Sequence, residues 1–233
     1  MKIVNLETLE GVPSDIDKRI CDLENYFLKY EVFEEYENIS EVLNLNNDIN
    51  KFCNDKFIVG FHYSNTIPEK IISLGLISRN GEEIRKTFID EYSHIFTSDE
   101  IKIINRNWEL YYDEFQSNVR NKKIYFNFTL NSLYNKESDK LLKYYGGEQI
   151  FMGLLNEPHL LEKLTSIGQP LIIEVLLKTN EIKTIRKSPW GRILISTYHK
   201  RFNRNNNNIL REDQDGYTLH KIKPTRIHKI NYL

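Results

Sequence analysis

The stretch GFHYSNTIPEKIISLGL, Gly60–Leu76, sets the frame for the whole chain. It begins inside an apolar run in which Phe57, Ile58, Val59 and Phe61 are strand formers, and the run closes at His62. Pro68 falls in the first turn of a short helix, Thr66 stands three residues before Glu69 at capping-box spacing, and Gly75 occupies a helix stop. The unit reads as strand, tight connection, short helix, glycine stop. His62 has two readings. One is a strand-end histidine satisfied by backbone. The other is a ligand-holding residue with Tyr63 beside it and helix amides ahead that suit an anion.

Upstream, SDIDKRICDLENYFLKYEVF (14–33) has Ile16, Ile20, Leu23 and Phe27 at helical intervals, with Ser14 and Asp17 at capping-box spacing. ISEVLNLNNDINKFCNDK (39–56) is a second helical stretch. The two form either a helical annex over residues 1–55, ahead of a main domain over 56–233, or a cover for one face of the main sheet. Downstream, GEEIRKTFIDEYSHIF and TSDEIKIINRNWELYYDEFQSNVRNK carry long apolar periodicity, with Thr97 and Glu100 forming another capping box.

A second strand follows in KKIYFNFTL, where Ile124, Phe126 and Phe128 alternate with Tyr125, Asn127 and Thr129. QPLIIEVLLKTNEIKTI reads as strand, turn at Thr179–Asn180, strand. SPWGRILISTYHKRF suits either a helix or a strand, and the asparagine run in NRNNNNIL is a solvated loop. The tail from Tyr217 to Leu233 alternates in two short strands around Pro224. Helices first and strands later, without regular βαβ alternation, predict an α+β fold with a mixed, mostly antiparallel sheet. No GxGxxG or P-loop pattern is present.

Composition narrows the function classes. With 40% hydrophobic and 12% aromatic residues in 233, the chain can bury a core without staples. A formal net charge of -1 removes whole-chain basicity as an argument for nucleic acid, although YHKRFNRNNNN forms a local basic stretch. Cys21 and Cys53 have no metal spacing, and the six histidines form no HExxH pattern, so metal ligation is not expected. The opening MKIVNLETLEGVPSD has acids and a proline where a signal peptide has its apolar core, and no run reaches membrane-spanning length. The expectation is a reduced, cytoplasmic protein with no membrane partner.

One further stretch suits chemistry. In KYYGGEQIF, Lys143–Phe151, two glycines allow close backbone approach, Tyr144 and Tyr145 offer stacking faces, and Glu148 opens a helix. The plain alternative is a helix-to-helix turn with Glu148 as a first-turn acid.

The His62 unit resembles the first motif of the ADP-ribosyltransferase superfamily, where a strand-end histidine or arginine binds the nicotinamide-side ribose of NAD and a helix ending in GL follows, as IISLGL does here. KKIYFNFTLNSL is similar to the second motif, an aromatic strand whose tyrosines stack on nicotinamide, and LHKIKPTRIHKI to the closing strands, through Ile222, Pro224 and Ile227. The resemblance covers residues 56–233. It implies an ADP-ribosyltransferase-type sheet core and NAD as substrate. It also implies a protein or nucleic-acid acceptor, and a setting among toxins or phage-conflict factors. His62, Tyr63, Ser64, Tyr125 and Tyr145 become the candidate NAD contacts. The third motif places a catalytic glutamate just before the closing strands, where this chain has REDQDGYTL. The carboxylate is therefore Glu212, Asp215 or, as the local chemistry favours, Glu148. The alternative is a catalytically inactive nucleotide-binding or protein-interaction module of the same fold.

Overall fold

The computed structural model describes residues 2–233. Among them the chain forms seven strands and twelve α-helices. In chain order these are β1 (Ile3–Val4), α1 (Ser14–Cys21), α2 (Glu24–Lys29), α3 (Ser40–Cys53), β2 (Phe57–Thr66), α4 (Pro68–Leu74), α5 (Gly81–Tyr92), α6 (Ser98–Tyr111) and α7 (Glu114–Arg120). Next come β3 (Ile124–Phe126), α8 (Asn131–Tyr134), α9 (Asp139–Lys143), α10 (Glu148–Phe151), α11 (Pro158–Thr165) and β4 (Gln169–Lys178). The chain closes with β5 (Lys183–Thr184), α12 (Trp190–Phe202), β6 (Gly216–Thr218) and β7 (Ile227–Tyr232). The fold is α+β. A mixed four-stranded sheet has the order β1-β2-β4-β7, and a small sheet has the order β3-β6-β5.

The chain divides into two interleaved compact units, each built from three segments. The first takes residues 1–61, 125–134 and 176–217; the second takes 62–124, 135–175 and 218–233. Residues 1–55 thus share a unit with α12. Strands β2 and β4 each run through both units.

In the first unit α3 packs on α12, α1 packs on α3, and α2 packs on α12. Val42, Leu45, Ile49 and Cys53 form the buried stripe of α3. Each large aliphatic side chain removed from water in this way contributes about 1.5–3 kcal/mol. Gly191 lets α12 approach α3, since a Cβ there would collide with the Asn46 backbone; its N–H donates to Asn50 Oδ1 at 2.9 Å. Every residue from Trp190 to Thr197 is buried except half-buried Arg192. A helix covered on nearly all sides shows no amphipathic period, so the sequence left helix and strand open for RILIST. Strand β1 runs parallel to β2 through Ile3↔Phe57 and Val4↔Ile58, and β5 pairs with β6 antiparallel through Thr184↔Gly216.

In the second unit, β4 and β7 pair antiparallel from Leu171↔Tyr232 to Val175↔Ile227, with a bulge at Glu174/Val175. Phe88, Ile104, Trp108, Ile150, Phe151 and Leu160 lie in its main core. The buried indole of Trp108 donates to Ile150 O at 2.9 Å, which ties α6 to α10.

Three boundaries differ from the sequence expectation. Ser14 is the first helical residue and Pro13 takes the cap position without a side-chain cap bond, because the proline ring carries no acceptor atom. The expected 14–33 helix is two helices, broken at Asp22–Leu23. Thr66 is the last residue of β2 and Ile67 the cap of α4, with Pro68 presetting the first turn. The Thr97–Glu100 capping box forms in both directions, with Thr97 N to Glu100 Oε2 at 2.7 Å and Glu100 N to Thr97 Oγ1 at 3.2 Å.

Candidate functional site

A cavity of about 360 Å³ opens in the first unit. Its polar wall is Glu34, Arg186, Arg192, Glu212, Asp213 and Gln214. Glu34 comes from the 3₁₀ turn Phe33–Glu35 after α2, Arg192 from the first turn of α12, and the acids from the segment that leads into β6.

Arg192 organises this wall. Its guanidinium lies 4.8 Å over the Phe33 ring. It reaches Glu34 and Glu212 at 3.0 Å each and also pairs with Glu37. Its Nε is buried with no partner among the described residues. Glu34 and Glu212 are in mutual contact, so they titrate as a pair. Burial first, and the Glu34 carboxylate second, push Glu212 above the ordinary glutamate range. The hydrogen bond from Glu212 holds Glu34 below that range. Of the two, Glu212 is thus the one that takes up a proton first as pH falls.

Asp213 is pushed up to about 6 by burial. It accepts from the Thr129 hydroxyl and from the backbone N–H groups of Gln214 at 2.8 Å and Phe128 at 3.4 Å, all of which act against that rise. Arg211, which also pulls Asp213 downward, pairs with Glu7 at 2.8 Å and donates to Thr197 Oγ1 at 3.0 Å. Asn127 donates to Asp215 at 2.8 Å. Strand β3 ends at Phe126 and does not run to Thr129 as the alternation predicted, so it is the stretch leaving the aromatic strand, through Asn127 and Thr129, that is bonded side chain to side chain to the acidic segment. Tyr125 of β3 faces Tyr217 of β6 with ring centroids 5.4 Å apart.

The residues nominated from the sequence fall into two groups. Tyr125 lies in the first unit; His62, Tyr63, Ser64, Tyr145 and Glu148 lie in the second. His62 and Ser64 are half-buried on β2, with buried Tyr63 alternating between them. Asn65, at the end of the same strand, bridges to Tyr145, and its carbonyl accepts from Gly146 N at 3.1 Å. This brings the histidine strand alongside the YYGGE turn. Tyr145 itself is buried, with Tyr92 and Phe88 at ring distances of 5.0 and 6.1 Å. Its hydroxyl donates to Tyr92 at 3.0 Å. The Glu148 carboxylate accepts from Arg120 Nε at 2.8 Å, and its carbonyl accepts from the Tyr112 hydroxyl. Gly146 and Gly147 both adopt positive φ, which is why this turn holds two glycines.

Sequence reasoning missed Glu34, Arg186, Arg192 and Asp213. A signal for Arg192 was present: it is the one charged residue between Trp190 and Tyr198. Glu34 is remote in sequence from its partners, and nothing local marks it.

No protein-family model, curated protein or solved structure matches the chain. Among the described residues no group of three or more His, Cys, Asp or Glu is placed to hold a metal ion, and no helix is long and apolar enough to cross a membrane.

Proposed function

We propose that the chain is an ADP-ribosyltransferase-like enzyme that takes NAD as substrate and modifies a protein or nucleic-acid acceptor, on a sheet core of that family's type. One observation carries the reading. The stretch that leaves the aromatic strand and the acidic segment, far apart in sequence, are joined by Thr129–Asp213 and Asn127–Asp215 hydrogen bonds. The chemistry requires that neighbourhood. An aromatic face that holds nicotinamide and a carboxylate that faces the ribose must act on one nicotinamide riboside.

The bond from ribose C1′ to the nicotinamide nitrogen breaks, and its electron pair leaves with nicotinamide. The ribosyl cation that develops is stabilised by a nearby carboxylate, and the acceptor loses its proton as it bonds to C1′. We assign the carboxylate work to Glu212 and Asp213 rather than to Glu148, because both line the cavity and Glu148 does not; an arginine pairs with each of the two glutamates, Arg192 with Glu212 and Arg120 with Glu148. Asp213, pushed up to about 6, is suited to accept the acceptor's proton near neutral pH. Arg186, exposed at the cavity wall, suits a diphosphate oxygen.

The test is release of nicotinamide from NAD, with and without a mixed acceptor extract. Wild type should release it. Glu212→Gln and Asp213→Asn should each lower the rate at least about 100-fold, the range expected on removal of an acid–base group. NAD binding without release by any acceptor would favour the inactive module of the same fold. Absence of NAD binding would remove the reading altogether.

A further inference from the structure

We propose that the second unit carries a nucleic-acid-binding surface, made by three basic segments laid edge to edge. The segment Leu76–Asn80 is the middle of the three. On one side Leu76 N donates to Ile222 O at 3.0 Å, and Ile222 N donates to Leu76 O at 2.9 Å. On the other side Lys122 N donates to Arg79 O at 3.0 Å, and the Ser78 hydroxyl donates to Lys122 O at 2.7 Å. These bonds gather Arg79, Lys122, Lys221 and Lys223, which are scattered over more than half of the chain.

All four side chains are exposed, and none of the four joins an ion pair among the described residues. The local sequence supplies little to neutralise them. Residues 219–233 hold four Lys or Arg and no Asp or Glu, and residues 115–123 hold no acid. Two acids stand just past the middle segment: Glu82, whose charge acts on Arg85, and Glu83, whose carboxylate caps Asn80 N at 3.3 Å. With a net charge of -1, this concentration is a placement and not a bulk property.

Adjacent extended segments lie about 5 Å apart, so one flexible phosphate backbone can meet several of these cations at once. Ser78, Asn80, His220 and Thr225 add hydrogen-bonding groups among them. Exposed aliphatics nearby are Ile72 and Leu74 on the seven-residue α4, Ile77 in the middle segment and Leu219, with no longer helix among them. Two turns bury far less apolar surface than a helix that seats in a bilayer interface. The surface therefore fits a nucleic-acid strand better than a lipid one.

The test is fluorescence anisotropy of the full chain with labelled oligonucleotides of about 20 nucleotides, as single-stranded RNA, single-stranded DNA and duplex, at about 50 and about 200 mM salt. Binding should weaken at least about 10-fold over that salt range. Arg79→Gln, Lys122→Asn, Lys221→Gln and Lys223→Gln combined should lower affinity at least about 10-fold at low salt and make the log–log salt slope shallower by about 3. The pair Lys122→Asn with Lys223→Gln should give about half of that slope change, which guards against a folding defect in the larger variant. Lys18→Gln, Lys29→Gln and Lys51→Gln combined, all in the first unit, should leave binding unchanged. Three results would overturn the proposal: no binding by wild type, equal affinity and slope in the substituted chains, or binding to phosphatidylserine vesicles with none to nucleic acid.

Discussion

Thr129 donates its hydroxyl hydrogen to Asp213, 84 residues further along the chain. The bond does two things at once. It orders the acidic segment ahead of β6 against the stretch that follows the Tyr125 strand, and it partly offsets the burial that raises the Asp213 pKa. Thr129→Val keeps the shape and deletes the donor. It should cost about 1.5–3 kcal/mol at neutral pH, the range for a hydrogen bond to a charged group. Urea unfolding measures this as a lower midpoint at unchanged slope.

Asp213 also leaves a signature in the pH dependence of stability. Its native value of about 6 lies above its ordinary value of 3.8, so between these limits the native state keeps a proton that the unfolded chain has lost. Stability from this group therefore falls as pH rises from about 4 to about 6 and is level above that range. Asp213→Asn should remove this component. The difference in Tm between wild type and variant, followed across the window, isolates it; a difference that does not change with pH would contradict the assignment.

His199 should give the opposite slope. It is fully buried and stacked 4.9 Å from Phe27. Its Nδ1 lies 3.1 Å from the Tyr36 hydroxyl and its Nε2 3.2 Å from Phe27 O. Burial lowers its pKa below the ordinary 6.5. The unfolded chain then takes up a proton first on acidification, so stability is present above about pH 6.5 and is lost as pH falls below it. His199→Gln, which can serve both partners without titrating, should flatten that acid limb. His199→Leu should cost about 1–3 kcal/mol at any pH by stranding the buried Tyr36 hydroxyl, while Phe27 O keeps its bond from Asn203 Nδ2 at 2.8 Å.

Glu148 pairs with an Arg120 side chain that is only 12% exposed, while its own is 43% exposed. Solvent screens the pair from the glutamate side, so Glu148→Gln should cost about 1 kcal/mol, a fall in Tm of about 2–4 °C for a chain of this size. Nicotinamide release should survive the change. Loss of release in a variant with wild-type Tm would return the catalytic role to Glu148.

Gly75 adopts φ +72°, and a Cβ there would collide with Ile222 O. Gly75→Ala should therefore strain the backbone and open the Leu76–Ile222 bridge, at a cost of about 2 kcal/mol or more. Amide exchange at Leu76 and Ile222 should accelerate beyond the global change.

The parts of the fold that sequence disclosed are those specified by neighbours in the chain. Gly75 as a helix stop, the Thr97–Glu100 box and the run Phe57–Phe61 each need only a few adjacent residues to be recognised. Helix α12 was ambiguous because burial on nearly every side erases the period that marks a helix. The cavity wall was illegible for a different reason. Glu34 and Glu212 meet each other and Arg192 across about 180 residues of chain, and no local pattern connects residues so far apart. Tyr145 had the right chemistry for a stacking face, but Phe88 and Tyr92, which pack against it, lie more than fifty residues upstream.

The interleaving of the two units bears on how the chain is made. Val42, Leu45 and Ile49 on α3 emerge early from the ribosome, while α12, the helix they pack against, emerges some 150 residues later. At translation speeds of about 5–20 residues per second, that greasy stripe waits on the order of ten seconds for its partner. The second unit waits longer still, because its strand β7 follows α12 in the chain. Each unit needs a segment made after most of the other has emerged, and the nascent chain is a natural client for holding chaperones in that interval.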